Sequence, residues 1–102
     1  MHTVEQADAL QRSLEGQLIS EKAARARANR FVLKNLRDGL CAGQPRFIIL
    51  GEEPAWSVPL LFARPDKVFG EVGQVIIQAV QGTILGFTPA GEVYRNARQY
   101  VS

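Results

Sequence analysis

Polar and apolar positions alternate most regularly between Trp56 and Phe87, and the rest of the chain is arranged around that stretch. Trp56, Val58, Leu60 and Phe62 recur at the strand period of two, as do Val75, Ile77 and Ala79, so each set projects from one face of a strand. The pattern predicts strands over residues 56–62, 72–79 and 83–87. Val80-Gln81-Gly82 reads as the tight turn between the last two, with Gly82 supplying the positive φ of a hairpin. An earlier strand is expected over Arg46-Phe47-Ile48-Ile49-Leu50, rich in β-formers and closed by Gly51-Glu52-Glu53-Pro54. Pro59 brings no ladder donor, so its strand either lies at an edge or turns that position away from its neighbour. Arg64-Pro65-Asp66-Lys67 reads as a loop, and Gly70 and Gly73 bracket the start of the next strand at a bulge.

Helical periodicity governs the two flanks. Thr3-Val4-Glu5-Gln6 has the form of a capping box, and Leu10, Leu14, Leu18, Ala28, Val32 and Leu36 share one face at about 100° per residue. A helix over residues 3–38 is therefore expected, stopped by Asp38-Gly39. Gly16 and the alternative cap Ser20 mark where it can break. Thr88-Pro89 reads as the cap and first turn of a short helix over residues 89–100, with Val93, Ala97, Tyr100 and Val101 as its apolar stripe. The order implies an α+β fold in a single domain over residues 1–102. It begins with a long N-terminal helix, continues as a three- to four-stranded antiparallel sheet over 46–88 covered on one face by helices, and ends in the short C-terminal helix.

A helix running to Arg37 would be roughly 50 Å long, against a radius of gyration of roughly 13 Å for a domain of this size. It would overhang its own sheet and leave Leu10, Leu14 and Leu18 uncovered, so these residues are expected to form a homodimer seam. Between that seam and the second apolar region, Glu21 and Arg25 stand at the spacing of a helical ion pair.

Composition changes this picture little. With 46% hydrophobic residues a chain of 102 can bury a core, and the net charge of +2 is too small to argue for nucleic acid by itself. Distribution says more. Lys22, Arg25, Arg27, Arg30, Lys34 and Arg37 follow one another with no acidic residue between them, whereas Glu5, Asp8, Glu15 and Glu21 precede them. Arg27, Arg30, Lys34 and Arg37 step by three, four and three, which places a basic stripe on one helical face. A stripe without acidic neighbours suits an acidic protein surface, and an acidic protein partner is the expectation. With only four cations and no interleaved aromatic, a phosphate backbone is the alternative.

Catalytic chemistry finds few candidates. His2 is the one histidine, Cys41 the one cysteine, and Glu52 and Glu53 are neighbours in a turn rather than opposed across a substrate. Gly70-Glu71-Val72-Gly73 lacks the lysine and helix of a phosphate loop. Trp56, among apolar alternate neighbours, reads as core. No enzyme, cofactor or metal site is expected. No stretch reaches the ~18 apolar residues of a membrane span and no signal-peptide pattern opens the chain, so no membrane association and a cytoplasmic location are expected.

The residues Trp56-Ser57-Val58 and Val75-Ile76-Ile77-Gln78-Ala79-Val80-Gln81-Gly82-Thr83-Ile84 resemble the core of PepSY-type domains. In those domains a helix precedes a W-x-V strand and a later strand reads V-x-V-D-A-x-T-G-x-V. Ala79 and Gly82 match; Gln78 stands where that pattern has aspartate and Gln81 where it has threonine. The resemblance implies a non-enzymatic binding or regulatory role, including inhibition of a peptidase or toxin. A nucleic-acid-associated protein and a structural assembly component are the alternatives.

Overall fold

A computed structural model describes residues 16–37 and 39–101. In chain order the elements are helix α1 (Glu21–Asn35), strands β1 (Leu40–Ala42), β2 (Arg46–Leu50), β3 (Glu53–Arg64), β4 (Lys67–Gln78) and β5 (Ile84–Phe87), and helix α2 (Ala90–Gln99). This is an α+β fold with an antiparallel sheet. β3 is central: β4 pairs along one side of it, β1 and β2 follow each other along the other, and β5 lies outside β4.

The period of two sets the register. Trp56 lies opposite Ile77 and Val58 opposite Val75, so the two apolar sets meet on one face. Trp56, Val58, Leu60, Val75, Ile77 and Ala79 are all buried, while Phe62, toward the Pro65-Asp66 end of the hairpin, is half-buried and stacks on Phe69 at 4.9 Å between ring centroids. Both middle strands run further than the alternation implied. The expected loop 64–67 shrinks to the two-residue turn Pro65-Asp66, and Gly70 and Gly73 lie inside β4, beside two slips of register against β3.

Pro59 is not at an edge. Its carbonyl accepts from the Gly43 amide at 2.8 Å, so its ring nitrogen faces the interruption between β1 and β2, where no ladder donor is needed. A Cβ on Gly43 would stand 2.9 Å from Pro59 Cγ, so glycine is what allows this segment to lie against the proline ring. β1, which the sequence pattern did not indicate, is held from both sides. It pairs with β3, while the Ala42 amide donates to Asn29 Oδ1 (2.8 Å) and the Ala42 carbonyl accepts from Arg25 Nε (3.1 Å), both on α1. Arg25 thus bonds to β1 and does not form the expected pair with Glu21.

The helix expected over 3–38 is not continuous. Residues 16–20 are turn and coil, and α1 starts only at Glu21; residues 1–15 lie outside the described residues. The reason lies in Ile19. In a helix its amide and carbonyl would serve neighbouring turns, but here the amide donates to the Ala79 carbonyl (2.7 Å) and the carbonyl accepts from Trp56 Nε1 (3.2 Å). Ser20 then acts as the N-cap, its hydroxyl accepting from the Ala23 amide at 3.0 Å. From there Ala24, Ala28 and Val32, four residues apart, are buried in one cluster with Trp56, Val58, Leu60, Val75 and Ile77. Small alanines let the helix backbone come close to the strands. Ser20→Ala is expected to cost about 0.5–2 kcal/mol in urea unfolding and Ser20→Asp to retain most of the stability; equal midpoints for the alanine variant and the parent would show that the cap contributes nothing.

Thr88 does not cap the second helix. Its hydroxyl accepts from the Gln74 amide (3.0 Å) and its own amide donates to the Gln74 carbonyl (3.0 Å), so it extends the pairing of β5 with β4, and Pro89 is the N-cap of α2. Val93 is the buried residue of α2 and belongs to the same core cluster, with Tyr94 and Ala97 packed against it.

Candidate partner-binding site

The four basic residues of the stripe are all exposed, but they do not stay together. Helix α1 ends at Asn35, so Arg37 leaves the helical face: its amide donates to the Tyr94 hydroxyl (3.1 Å) and its guanidinium lies over the Tyr94 ring, 5.2 Å from the centroid. Arg37 therefore joins α1 to α2. Arg27, Arg30 and Lys34 remain on one side of α1 and line a shallow groove of about 180 Å³ with Phe31, Asn35, Gly82 and Ile84. No lining residue is acidic.

Two distant parts of the chain make this groove. One wall is α1; the other is the turn between β4 and β5, which Gln78 shapes. The Gln78 side-chain oxygen accepts from the amides of Val80 (2.9 Å) and Gln81, and its carbonyl accepts from the Gly82 amide (2.8 Å). Gly82 has φ +80 and meets the turn requirement predicted for it. It also leaves room for Arg27, whose Cζ would stand 2.7 Å from a Cβ there and whose Nη1 reaches the Gly82 carbonyl at 3.5 Å. Arg27 is consequently a brace across the groove, while Arg30 and Lys34, at its rim, make no comparable contact among the described residues.

The floor is apolar. Phe31 is half-buried and packs on Phe87 of β5, ring centroids 4.8 Å apart, while Ile84 and Phe87 remain exposed. Phe87 pairs with Val75 and Ile84 with Ile77, both core positions, so the two side chains project toward the α1 side of the sheet. Phe31 lines the groove from a position between Arg30 and Lys34, contrary to the expectation that no aromatic is interleaved among the cations, and Phe87, against which it packs, arrives from the far end of the chain.

The other residues singled out from the sequence are dispersed. Leu10 and Leu14 lie outside the described residues, and Leu18 is half-buried against this chain's own core. Cys41 is half-buried and free. Glu52 and Glu53 are exposed at the turn between β2 and β3. Among the described residues no group of three or more histidine, cysteine, aspartate or glutamate side chains could hold a metal ion, and no helix is long and apolar enough to cross a membrane. No family model matches the chain, and neither a curated protein nor a solved structure does.

Proposed function

We propose that this protein is a non-enzymatic protein-binding or regulatory module that engages an acidic partner through the groove between α1 and the β4–β5 turn. The observation that carries the reading is the convergence of Arg27, Arg30 and Lys34, without a carboxylate among the lining residues, over an apolar floor that includes Phe31 and Ile84. Exposed cations steer an acidic surface into register, and desolvated aromatic and aliphatic groups beneath them supply the contact energy. In this reading α1 and α2 cover one face of the sheet and so give the site a rigid wall. The PepSY-like resemblance points in the same direction, toward binding in place of catalysis, with a peptidase or toxin among the partners it suggests.

Arg27 also braces the turn, so the clean probe is the double variant Arg30→Glu with Lys34→Glu. These two exposed positions make no hydrogen bond to the sheet, and the variant is expected to unfold within about 0.5 kcal/mol of the parent. Its affinity for a labelled polyglutamate peptide, followed by fluorescence anisotropy, is expected to fall about tenfold at low salt and to lose its salt dependence. A DNA duplex of matched charge serves as the comparison. Tighter binding of the duplex than of the peptide would replace this reading with the nucleic-acid one, and unchanged peptide binding by the double variant would reduce the cations to a solvated helix face.

A further inference from the structure

The two sides of the sheet are finished differently. On the β1 side, the outward amide and carbonyl of Ala42 are occupied by Asn29 and Arg25 from α1. On the other side, no strand among the described residues pairs with the outer edge of β5. The Thr88 amide donates inward to Gln74, and the amides of successive extended residues point in opposite directions, so the amide and carbonyl of Phe87 face off the edge. The edge is apolar as well: Ile84, Leu85 and Phe87 are 42%, 40% and 54% exposed, and β5 carries none of the lysine, glutamate or proline that commonly protects such an edge. The free edge of β2, by contrast, runs into Glu52 and Glu53.

We propose that the outer edge of β5 receives an extended, acidic segment of a partner protein as an added strand. The charge assigned to that segment rests on the acidic-partner reading above; the geometry of its attachment does not. A strand laid against β5 would satisfy the outward backbone of Phe87. Its side chains on the α1 side would fall beside Ile84, Phe87 and Phe31, within reach of Arg30 and Lys34. Main-chain bonds then supply attachment, and the alternation of apolar and acidic side chains supplies selection. The four residues of β5 offer only a short ladder, so the cations are needed to hold the segment in register.

A labelled peptide of alternating valine and glutamate tests both parts. On its addition, amide hydrogen exchange at Phe87 is expected to slow at least tenfold, while the amide of Gly86, opposite Ile76 in the existing ladder, changes little. Phe87→Pro removes the outward donor without touching the β4 ladder and is expected to weaken the peptide about tenfold, whereas Phe87→Val, which keeps the donor, is expected to lose less. Peptide binding that depends on Arg30 and Lys34 but leaves exchange at Phe87 unaltered would overturn strand addition and leave the proposed function standing. A Phe87 amide already protected in a species of twice the monomer mass would make a second copy of this chain the occupant and overturn the acidic segment. Binding of polyglutamate but not of the alternating peptide by the parent protein would overturn strand addition alone, and binding of neither would overturn both. Exchange is measured on the parent chain, so the result stands even where the proline variant does not fold.

Discussion

Trp56→Ala is expected to lower the free energy of unfolding by about 3–5 kcal/mol, the range for removing a large aromatic side chain from a core. The indole is 5% exposed, meets Phe47 edge-on at 5.6 Å between centroids, and belongs to the cluster that includes Ala24, Ala28 and Val32 of α1. It is also a donor. Its Nε1–H holds the Ile19 carbonyl, and without it that carbonyl needs water beside a partly buried segment. At roughly 4–8 °C per kcal/mol for a domain of this length, the melting temperature is expected to fall by more than roughly 12 °C. Trp56→Phe restores most of the packing but not the donor, and is expected to recover the larger part of the loss. A melting temperature for the alanine variant within a degree or two of the parent would mean that the indole is not core.

Val93→Asp carries the other large effect. Val93 is fully buried, and its Cγ2 would stand 3.0 Å from a Cβ on Gly73, so helix and strand are already in contact there. A carboxylate at that point would lose its hydration with no cation facing it among the described core residues, at a cost of several kcal/mol. The hydrogen bonds from this end of the chain to β4 are Asn96 Nδ2 to the Val72 carbonyl (2.9 Å) and, just past α2, the Tyr100 hydroxyl to the Glu71 carbonyl (3.2 Å), while Tyr94 and Ala97 pack against the same core. Hydrogen bonds worth about 1 kcal/mol net each and the partial packing of Tyr94 and Ala97 are not expected to offset a buried, unpaired carboxylate, so α2 is expected to loosen from the sheet. Urea unfolding should show a loss of about 3 kcal/mol or more, and far-UV circular dichroism should lose the signal of one short helix. Val93→Ala, which removes only apolar contact, is the comparison; equal stability of the two variants would contradict the helix–sheet contact described here.

What the sequence revealed and what it concealed divide along the range of the interactions responsible. The faces of β3 and β4 were legible because each is written in consecutive residues, and Trp56, Val58, Val75 and Ile77 sit where alternation puts them. The Gly82 turn was legible for the same reason. The helix start at Ser20 had a local signal in that residue's capping side chain, whereas the non-helical course of Ile19, bonded to Ala79 and Trp56, had none. Thr88 carried a strong local capping signal, yet Gln74 claimed its hydroxyl. β1 has three residues, too few to show a period, and its outer edge depends on Arg25 and Asn29. The candidate site follows the same division: Arg27, Arg30, Phe31 and Lys34 lie close together on one helix and could be read, but Gly82 and Ile84 complete it from a distant stretch of the chain.

The strand order has a consequence for how the molecule assembles. β2, β3, β4 and β5 are each joined to the next by a short connection and paired with it, so the sheet is a succession of neighbours in sequence whose loops close at small entropic cost. The bond from Ile19 to Ala79 is of the opposite kind, because it joins the approach to α1 to the end of β4. It closes a far longer loop than any hairpin of the sheet does, at a greater entropic cost. The hairpins are therefore expected to form early, and the seating of α1 on them, with Arg27 reaching across to Gly82, late, so that substitutions at the Gly82 turn slow folding more than those at Ile19.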